Sequence, residues 1–299
     1  MNSSLGQVEQ DQAEQDQVEQ DQVEQDQAEQ AQVEGSASDA SASSLASDER
    51  ILPTIPTRKY GWLSRLRSYL IIDPLIWLYT LVLGTIVLIV GLFDPDGRRQ
   101  HRVATAWSWL IAKTMFSPVK VTGLDKIDTS KAHVYAVNHS SALDIPVLYV
   151  HLPFQFRIAF KKELLSYPGV GWYLKQSGQI CLDQQNPARS VGSIRTALKG
   201  LRAGMPLVIF PEGGRTPDGE IKPFLPGAFF LAIKAQVDIV PVALIGTFEL
   251  LPMNTYHIKC HPLAMRVGEP IPTAGLTTRD LGALSNQVKA EMERLYYGK

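Results

Sequence analysis

The sequence predicts an α/β protein in which a mostly parallel sheet is flanked by helices and preceded by an N-terminal membrane-associated helix or helical hairpin and a disordered tail. Three observations support this prediction. Short apolar runs alternate with helically spaced segments after Val119, the run Pro74–Phe93 carries no charge, and residues 7–34 form a polar repeat. We therefore expect a disordered tail (1–50), a membrane-anchoring helical segment (51–118) and an α/β domain (119–299).

The tail repeats QVEQD or QAEQD, and this period matches neither the turn of a helix nor the alternation of a strand. Its valines and alanines form no continuous apolar face, so residues 1–50 are predicted to be solvated and disordered. They hold 13 acidic and one basic side chain (net −12), whereas residues 51–299 hold 28 basic and 17 acidic ones (net +11). The basic remainder indicates an anionic partner such as a phospholipid surface, a phosphorylated substrate or a nucleotide.

The anchoring segment contains the uncharged run Pro74–Phe93, which is long enough to cross a hydrocarbon core of about 30 Å as a helix. A second helically spaced stripe follows, so a re-entrant hairpin in the membrane interface is an alternative to a single span; the stripe consists of Ala104, Trp107, Leu110, Ile111 and Met115. Basic residues flank the run on both sides, and the positive-inside rule therefore gives no orientation. A long core helix of a soluble protein is the third interpretation.

The α/β domain is predicted from short apolar runs that are typical of buried strands. These runs are Val134–Val137, Arg157–Phe160, Gln179–Leu182, Leu207–Phe210 and Ile239–Ile245. Helical spacing lies between two of them at Val191, Ile194, Leu198 and Leu201, and a terminal helix is predicted from Leu281, Leu284, Val288, Met292 and Leu295. Repeated strand–helix–strand order favours parallel strands.

Cysteine usage points away from a disulfide framework. Only Cys181 and Cys260 occur, without a C-x-x-C motif or zinc-finger spacing. We therefore expect no structural zinc and a reducing compartment, with a single Cys181–Cys260 bridge as the alternative.

The stretch VYAVNHSSALDIPVLY, residues 134–149, places His139 and Asp144 where an apolar strand gives way to an apolar helix. Strand ends and helix starts converge on the carboxyl edge of a parallel sheet, where ligands usually bind. An imidazole there can take a proton from a hydroxyl while the carboxylate fixes its tautomer. Neither G-x-S-x-G nor a nearby cysteine supplies a nucleophile, so the nucleophile would be a substrate hydroxyl. The alternative is a capping box, Ser141-x-x-Asp144, with Ser140 or Ser141 as the helix cap.

A second polar cluster, FPEGGRTPDGEIKPFLPG at residues 210–227, follows another apolar strand. Gly213 and Gly214 permit close approach of a ligand, and the N–H groups of such a turn attract anions. Arg215 adds a planar guanidinium suited to phosphate. Glu212 would either hold Arg215 or accept a hydrogen bond from a substrate hydroxyl. The alternative is a plain polar turn built on Thr216-Pro217-Asp218-Gly219.

With both clusters in this order behind an apolar anchor, residues 120–269 resemble the glycerophospholipid acyltransferases, above all the 1-acylglycerol-3-phosphate (lysophosphatidate) acyltransferases. The family's His-x4-Asp, Phe-Pro-Glu-Gly-Thr/Gly-Arg-Ser/Thr, Lys-Lys-Glu-Leu and Val-Pro-Val motifs match residues 139–144, 210–216, 161–164 and 240–242. The resemblance implies that His139 is the catalytic base and Asp144 its partner. It also implies substrate binding, centred on the acceptor phosphate, by Glu212, Gly213, Gly214, Arg215, Thr216 and Lys161.

Two positions depart from the family pattern. Gln184 stands where the family's second block usually has arginine, and Leu225 stands where lysine is usual. Both changes remove a cation expected near the acceptor, so they leave the acceptor headgroup open. Lys222 or Lys161 would compensate for the missing charge.

The resemblance implies transfer of a fatty acyl group from acyl-CoA or acyl carrier protein to the sn-2 hydroxyl of lysophosphatidic acid, giving phosphatidic acid. The alternatives are another lysophospholipid or amphiphilic acceptor, or a non-catalytic membrane adaptor. No metal or other cofactor is expected, because a thioester is already activated. The expected partners are a phospholipid membrane, the acyl donor and the lysophospholipid, without nucleic acid. We expect the protein on a membrane with its catalytic domain facing the cytoplasm.

Overall fold

The computed structural model of the chain describes residues 61–183 and 190–298. The predicted tail, residues 51–60 of the anchoring segment and Gln184 lie outside the described residues. Within the described part, residues 61–182 and 193–298 belong to one compact unit, and Asp183 with residues 190–192 belongs to another. The division at residues 50 and 118 stays a prediction.

The anchoring segment folds as an antiparallel helical hairpin. Its first arm runs through α1 (Trp62–Arg67), a π-helical stretch (Ser68–Ile72) and α2 (Asp73–Gly91), and its second arm is α3 (Arg98–Met115). Gly97 permits the reversal because it takes a left-handed φ of 67° immediately before α3. Polar bonds join the arms, including Trp107 Nε1–H donating to Thr80 Oγ1 (3.0 Å).

The first arm is long and apolar enough to cross a membrane, and only 6% of its most apolar 18-residue stretch is buried. Such exposure disagrees with the alternative of a soluble-protein core helix, whose surface would be covered. The second arm differs, because its Ile111 and Met115 are fully buried against the sheet. The hairpin is thus packed on the α/β body through α3 and leaves an apolar outer surface along α2.

The sheet has seven strands in the order β1-β7-β6-β2-β5-β3-β4. The strands are β1 (Val119–Thr122), β2 (Val134–Val137), β3 (Arg157–Lys161), β4 (Ile180–Leu182), β5 (Leu207–Ile209), β6 (Ile239–Ile245) and β7 (Leu263–Val267). Every pairing is parallel except β6 with β7, so β1 and β7 run opposite to the other five strands. The predicted mostly parallel sheet is confirmed, and its carboxyl edge gathers the ends of β2, β5 and β3.

Helices cover both faces of the sheet. They are α4 (Asp144–His151), α5 (Val170–Gln176), α6 (Val191–Arg202), α7 (Gly227–Ala235), α8 (Thr247–Leu250) and α9 (Leu281–Tyr297). Alternate residues of β2 serve the two cores: Val134 and Ala136 pack with α7 and α9, whereas Tyr135 and Val137 pack with α3 and α4. All four side chains are fully buried, as a central strand between two layers requires.

The predicted strands are confirmed to within a residue or two at their ends, and the predicted helices at residues 191–201 and 281–295 correspond to α6 and α9. Strands β1 and β7 had no counterpart in the prediction. β1 is an edge strand and β7 is its neighbour; exposure alternates along both strands, and β7 is buried only at every second residue. No disulfide joins Cys181 and Cys260, so the alternative of a bridge between them is wrong.

Candidate active site

The candidate site lies at the carboxyl edge of three neighbouring strands. His139 follows β2, the loop of residues 210–226 follows β5, and Lys161 is the last residue of β3. Because β2, β5 and β3 are adjacent and parallel, the ends of all three meet at the same edge. Two segments that are more than 70 residues apart in the sequence therefore face each other.

His139 and Asp144 form a direct pair, with 2.8 Å between Nδ1 and Oδ2. An ionised carboxylate can only accept, so Nδ1 carries the hydrogen and the lone pair of the neutral ring lies on Nε2. The Asp144 side chain is fully buried, whereas 19% of the His139 side chain is exposed. A substrate can therefore reach the imidazole of His139, whereas it cannot reach the carboxylate of Asp144.

Asp144 also holds the backbone of the turn that carries the ring. Its Oδ2 accepts N–H bonds from Ser140 (2.8 Å) and Ser141 (2.9 Å) in addition to the bond from His139. The capping-box interpretation is correct for the carboxylate of Asp144, which accepts the N–H of Ser141. It is wrong for the hydroxyl of Ser141, because this Oγ donates to the Leu251 carbonyl and α4 begins at Asp144 without a side-chain cap. One oxygen thus serves both the turn and the imidazole.

The ring is supported on its face and its backbone as well. Phe210 stacks on the imidazole with 4.0 Å between ring centroids and 22° between planes. The carbonyl of His139 accepts the N–H of Thr216 (2.8 Å), and its own N–H donates to Glu212 Oε1 (2.8 Å). The loop after β5 is therefore built against His139, which the sequence did not reveal.

Asn138 fastens this arrangement to the sheet. Its Oδ1 accepts the N–H of Leu244 (2.6 Å), and its Nδ2 donates to the Leu244 carbonyl (3.0 Å). Both bonds are buried and reach from the end of β2 to β6. The only signal in the sequence was an amide directly after a wholly apolar strand, where a buried polar group needs partners.

The predicted substrate-binding residues divide into two groups. Glu212 and Thr216 are engaged with backbone groups, and Thr216 is buried. The prediction that Glu212 holds Arg215 is wrong, because both Glu212 oxygens accept backbone N–H groups, those of His139 and Lys222. Arg215 and Lys161 are exposed, and no hydrogen bond or ion pair holds either head group among residues 61–183 and 190–298. The two free cations flank the turn.

Gly213 and Gly214 form the turn between these groups. Gly213 adopts a φ of 69° and donates its N–H to the Phe210 carbonyl (3.0 Å). A Cβ on Gly214 would lie 3.2 Å from Lys161 Nζ, so the ammonium sits against this glycine. The missing side chain therefore leaves room for a cation beside the turn.

Of the two compensating lysines, Lys161 is the better placed. The ammonium of Lys222 is paired with Asp218, so part of its charge is neutralised within the loop. Leu225, the residue at the second departure from the family pattern, is exposed and donates its N–H to the Pro211 carbonyl (2.7 Å). The cationic character of the site rests on Arg215 and Lys161.

A family model described as Acyltransferase matches residues 118–245. The chain is 32% identical over 183 residues to the chloroplastic 1-acyl-sn-glycerol-3-phosphate acyltransferase LPAT1 of Arabidopsis thaliana, covering 59% of this chain and 51% of that protein. It is 31% identical over 175 residues to the human 1-acyl-sn-glycerol-3-phosphate acyltransferase alpha, covering 58% and 62% respectively. The chain thus spans about half the length of the curated relatives it matches.

The fold is also similar to a solved structure. The crystal structure of the 1-acyl-sn-glycerophosphate acyltransferase PlsC from Thermotoga maritima superposes with a TM-score of 0.61 at 26% identity, covering 78% of this chain and 92% of that one. Its coverage extends beyond the matched domain of residues 118–245. Residues 118–245 therefore form an acyltransferase domain, and the motifs, the relatives and the shared fold make this chain similar to the glycerophospholipid acyltransferases.

Proposed function

We propose that the protein is a 1-acylglycerol-3-phosphate O-acyltransferase of phospholipid biosynthesis. It would move a fatty acyl group from acyl-CoA or acyl carrier protein to the sn-2 hydroxyl of lysophosphatidic acid and give phosphatidic acid. The observation that carries this proposal is the His139–Asp144 pair, whose reachable ring shares the carboxyl edge of the sheet with Arg215 and Lys161, two cations that no group in the described part of the chain pairs with. The names of the relatives from Arabidopsis thaliana, Homo sapiens and Thermotoga maritima support the same acceptor.

The geometry supports base catalysis on a substrate hydroxyl. His139 Nε2 takes the hydroxyl proton as the oxygen attacks the thioester carbonyl, and Asp144 stabilises the imidazolium that forms. The tetrahedral intermediate then collapses and expels the thiolate, which receives the proton from Nε2. The products are the ester and the free thiol, and the histidine returns to its starting state. The thioester is already activated, so the proposed reaction needs no metal or other cofactor.

The oxyanion of the intermediate needs donors placed where charge develops. The N–H groups of His139, Ser140 and Ser141 are engaged with carboxylates. In the turn, the N–H of Gly213 is engaged with Phe210. Among the described residues, the N–H groups of Gly214 and Arg215 and the Lys161 ammonium beside Gly214 have no such bond, and we propose them as the candidate oxyanion donors.

The acceptor phosphate is assigned to Arg215, with Lys161 as its second cation. Substituting Arg215→Lys keeps the charge but loses the bidentate guanidinium, so we expect the KM for lysophosphatidic acid to rise by about tenfold or more. The KM for the thioester should stay nearly unchanged in steady-state assays. Arg279→Lys, at an exposed arginine in the 3-10 turn Thr278–Asp280 that precedes α9, is the matched control. A rise in the donor KM instead would move Arg215 to the acyl-donor site.

The exposed apolar arm supports membrane association. Trp62, Trp77, Leu81 and Phe93 are each at least 70% exposed along it. Because α3 is packed on the sheet and bonded to α2, the hairpin interpretation is favoured over a perpendicular span: α2 would lie in the interface with its outer surface in lipid. We propose that the catalytic edge faces the cytoplasm, because acyl-CoA and acyl carrier protein are water-soluble and would reach the site from that side.

An acceptor panel tests the proposed function directly. Purified protein in detergent is given acyl-CoA, a thiol reagent and lysophosphatidic acid, lysophosphatidylcholine or a non-phosphate amphiphile. We expect thiol release that depends on lysophosphatidic acid and yields phosphatidic acid. Preference for another acceptor would correct the substrate, and absence of acceptor-dependent release with either acyl-CoA or acyl carrier protein would favour a non-catalytic adaptor.

A further inference from the structure

Glu212 bridges two loops at the catalytic edge. Its Oε1 accepts the N–H of His139 at 2.8 Å, and its Oε2 accepts the N–H of Lys222 at 2.9 Å. The first bond reaches the loop after β2, and the second closes the loop after β5 on itself. Each oxygen of the carboxylate is thus committed to a backbone donor, which is unlike a side chain held ready for a ligand.

We propose that Glu212 is a positioning residue that holds the peptide of His139, and through it the imidazole, at the correct place for proton transfer. This inference rests on the proposed function of His139 as the base. It removes Glu212 from the acceptor site and leaves phosphate recognition to Arg215 and Lys161. The Thr216 N–H bond to the His139 carbonyl adds to this support, because residues 212–216 then hold both main-chain polar groups of His139, its N–H and its carbonyl.

The bridge requires an ionised carboxylate. A carboxylate accepts strongly at both oxygens, whereas protonation turns one oxygen into an O–H group, which is a donor and only a weak acceptor. Loss of the charge therefore weakens the bond to either His139 or Lys222. Burial raises the pKa of Glu212 to about 7, the N–H groups of Lys222 and His139 oppose that rise, and Asp144 adds to it. The charged or titratable groups around Glu212 are His139, Asp144, Lys222 and Tyr296.

Two substitutions separate the length of the side chain from its charge. Glu212→Gln keeps the length but turns one acceptor into an N–H donor, and Glu212→Asp keeps the charge but shortens the reach. The bridge needs both properties, so we expect each variant to lower kcat by at least about tenfold with the KM for lysophosphatidic acid within about threefold of wild type. Glu220→Gln, in the same loop, is the matched control and should behave as wild type.

The pH profile of kcat supplies a second measurement. In the wild type the bridge needs an ionised Glu212, whose pKa burial raises to about 7, so kcat should fall as the pH drops through this value. The Gln variant cannot titrate at this position, and its kcat should fall less steeply over the same pH range. If Glu212 only stabilised the fold, the Gln variant would have a lower thermal stability but the same pH dependence of kcat as the wild type.

Several results would overturn the positioning role. A higher acceptor KM with unchanged kcat in both Glu212 variants would return Glu212 to the acceptor site. Full activity in Glu212→Asp would show that charge alone matters, and full activity in Glu212→Gln would show that the bridge is not needed. Failure of the proposed function is recognised separately: the wild type would then show no acceptor-dependent thiol release, and release retained in His139→Ala would show that His139 is not the base.

Discussion

Replacing His139 with alanine should lower kcat by about 10²- to 10⁴-fold while the folded protein remains. General-base catalysis contributes this much when the base is well placed, and no other imidazole lies at the carboxyl edge of β2, β5 and β3 in the described part of the chain. The KM for acyl-CoA and for lysophosphatidic acid should change little, because the ring is assigned to proton transfer and not to binding. Thiol release in the steady state measures both quantities.

His151→Ala is the control for this experiment. His151 is the last residue of the same helix whose first residue is Asp144, so it lies at the far end of α4, roughly 10 Å from the carboxylate along the axis. We expect near-normal turnover in this variant. Turnover in His139→Ala within about threefold of wild type would contradict a base role for His139.

The sequence predicted the fold well where the periodicity was strong. Fully apolar runs such as Val134–Val137 and Ile239–Ile245 became central strands, since burial on both faces leaves no polar alternation. Strand β7 was missed because only every second one of its residues is buried, and its run of five residues is interrupted by Arg266. Its antiparallel pairing with β6 follows from chain connections that a local pattern does not contain.

The site was predictable only as a set of residues. Motif spacing identified His139, Asp144 and Arg215, but spacing carries no information on which atoms meet. The stacking of Phe210 on the imidazole and the bridge made by Glu212 depend on β2 and β5 being neighbours in the sheet. Glu212 was therefore assigned to the substrate, although its carboxylate is turned towards the protein backbone.

The second large effect is expected at Asp144, where asparagine is the most informative replacement. It has nearly the same shape, and its single side-chain oxygen can occupy the place of Oδ2. There it would still accept the N–H groups of Ser140, Ser141 and the His139 ring. The amide nitrogen would then take the place of Oδ1, which is buried and has no hydrogen-bond partner among the described residues.

This placement has a cost in stability and a larger one in catalysis. A buried N–H₂ group without an acceptor should lower the free energy of unfolding by about 1–3 kcal/mol. The opposite orientation of the amide is worse, since it points two hydrogens at three N–H donors. In both orientations the negative charge that stabilises the imidazolium is lost, and in serine-protease triads the same substitution lowers kcat about 10⁴-fold.

We therefore expect Asp144→Asn to fold with a moderately lower Tm and to lose at least about 10²-fold in kcat. The double variant with His139→Ala should be little worse than either single one, because a base and its partner act as a unit. Asp128→Asn is the control for a purely structural carboxylate, since Asp128 accepts the N–H of Ser130 in an exposed turn (3.1 Å). Normal kcat in Asp144→Asn, with only the Tm reduced, would leave the backbone bonds to Ser140 and Ser141 as the whole role of Asp144.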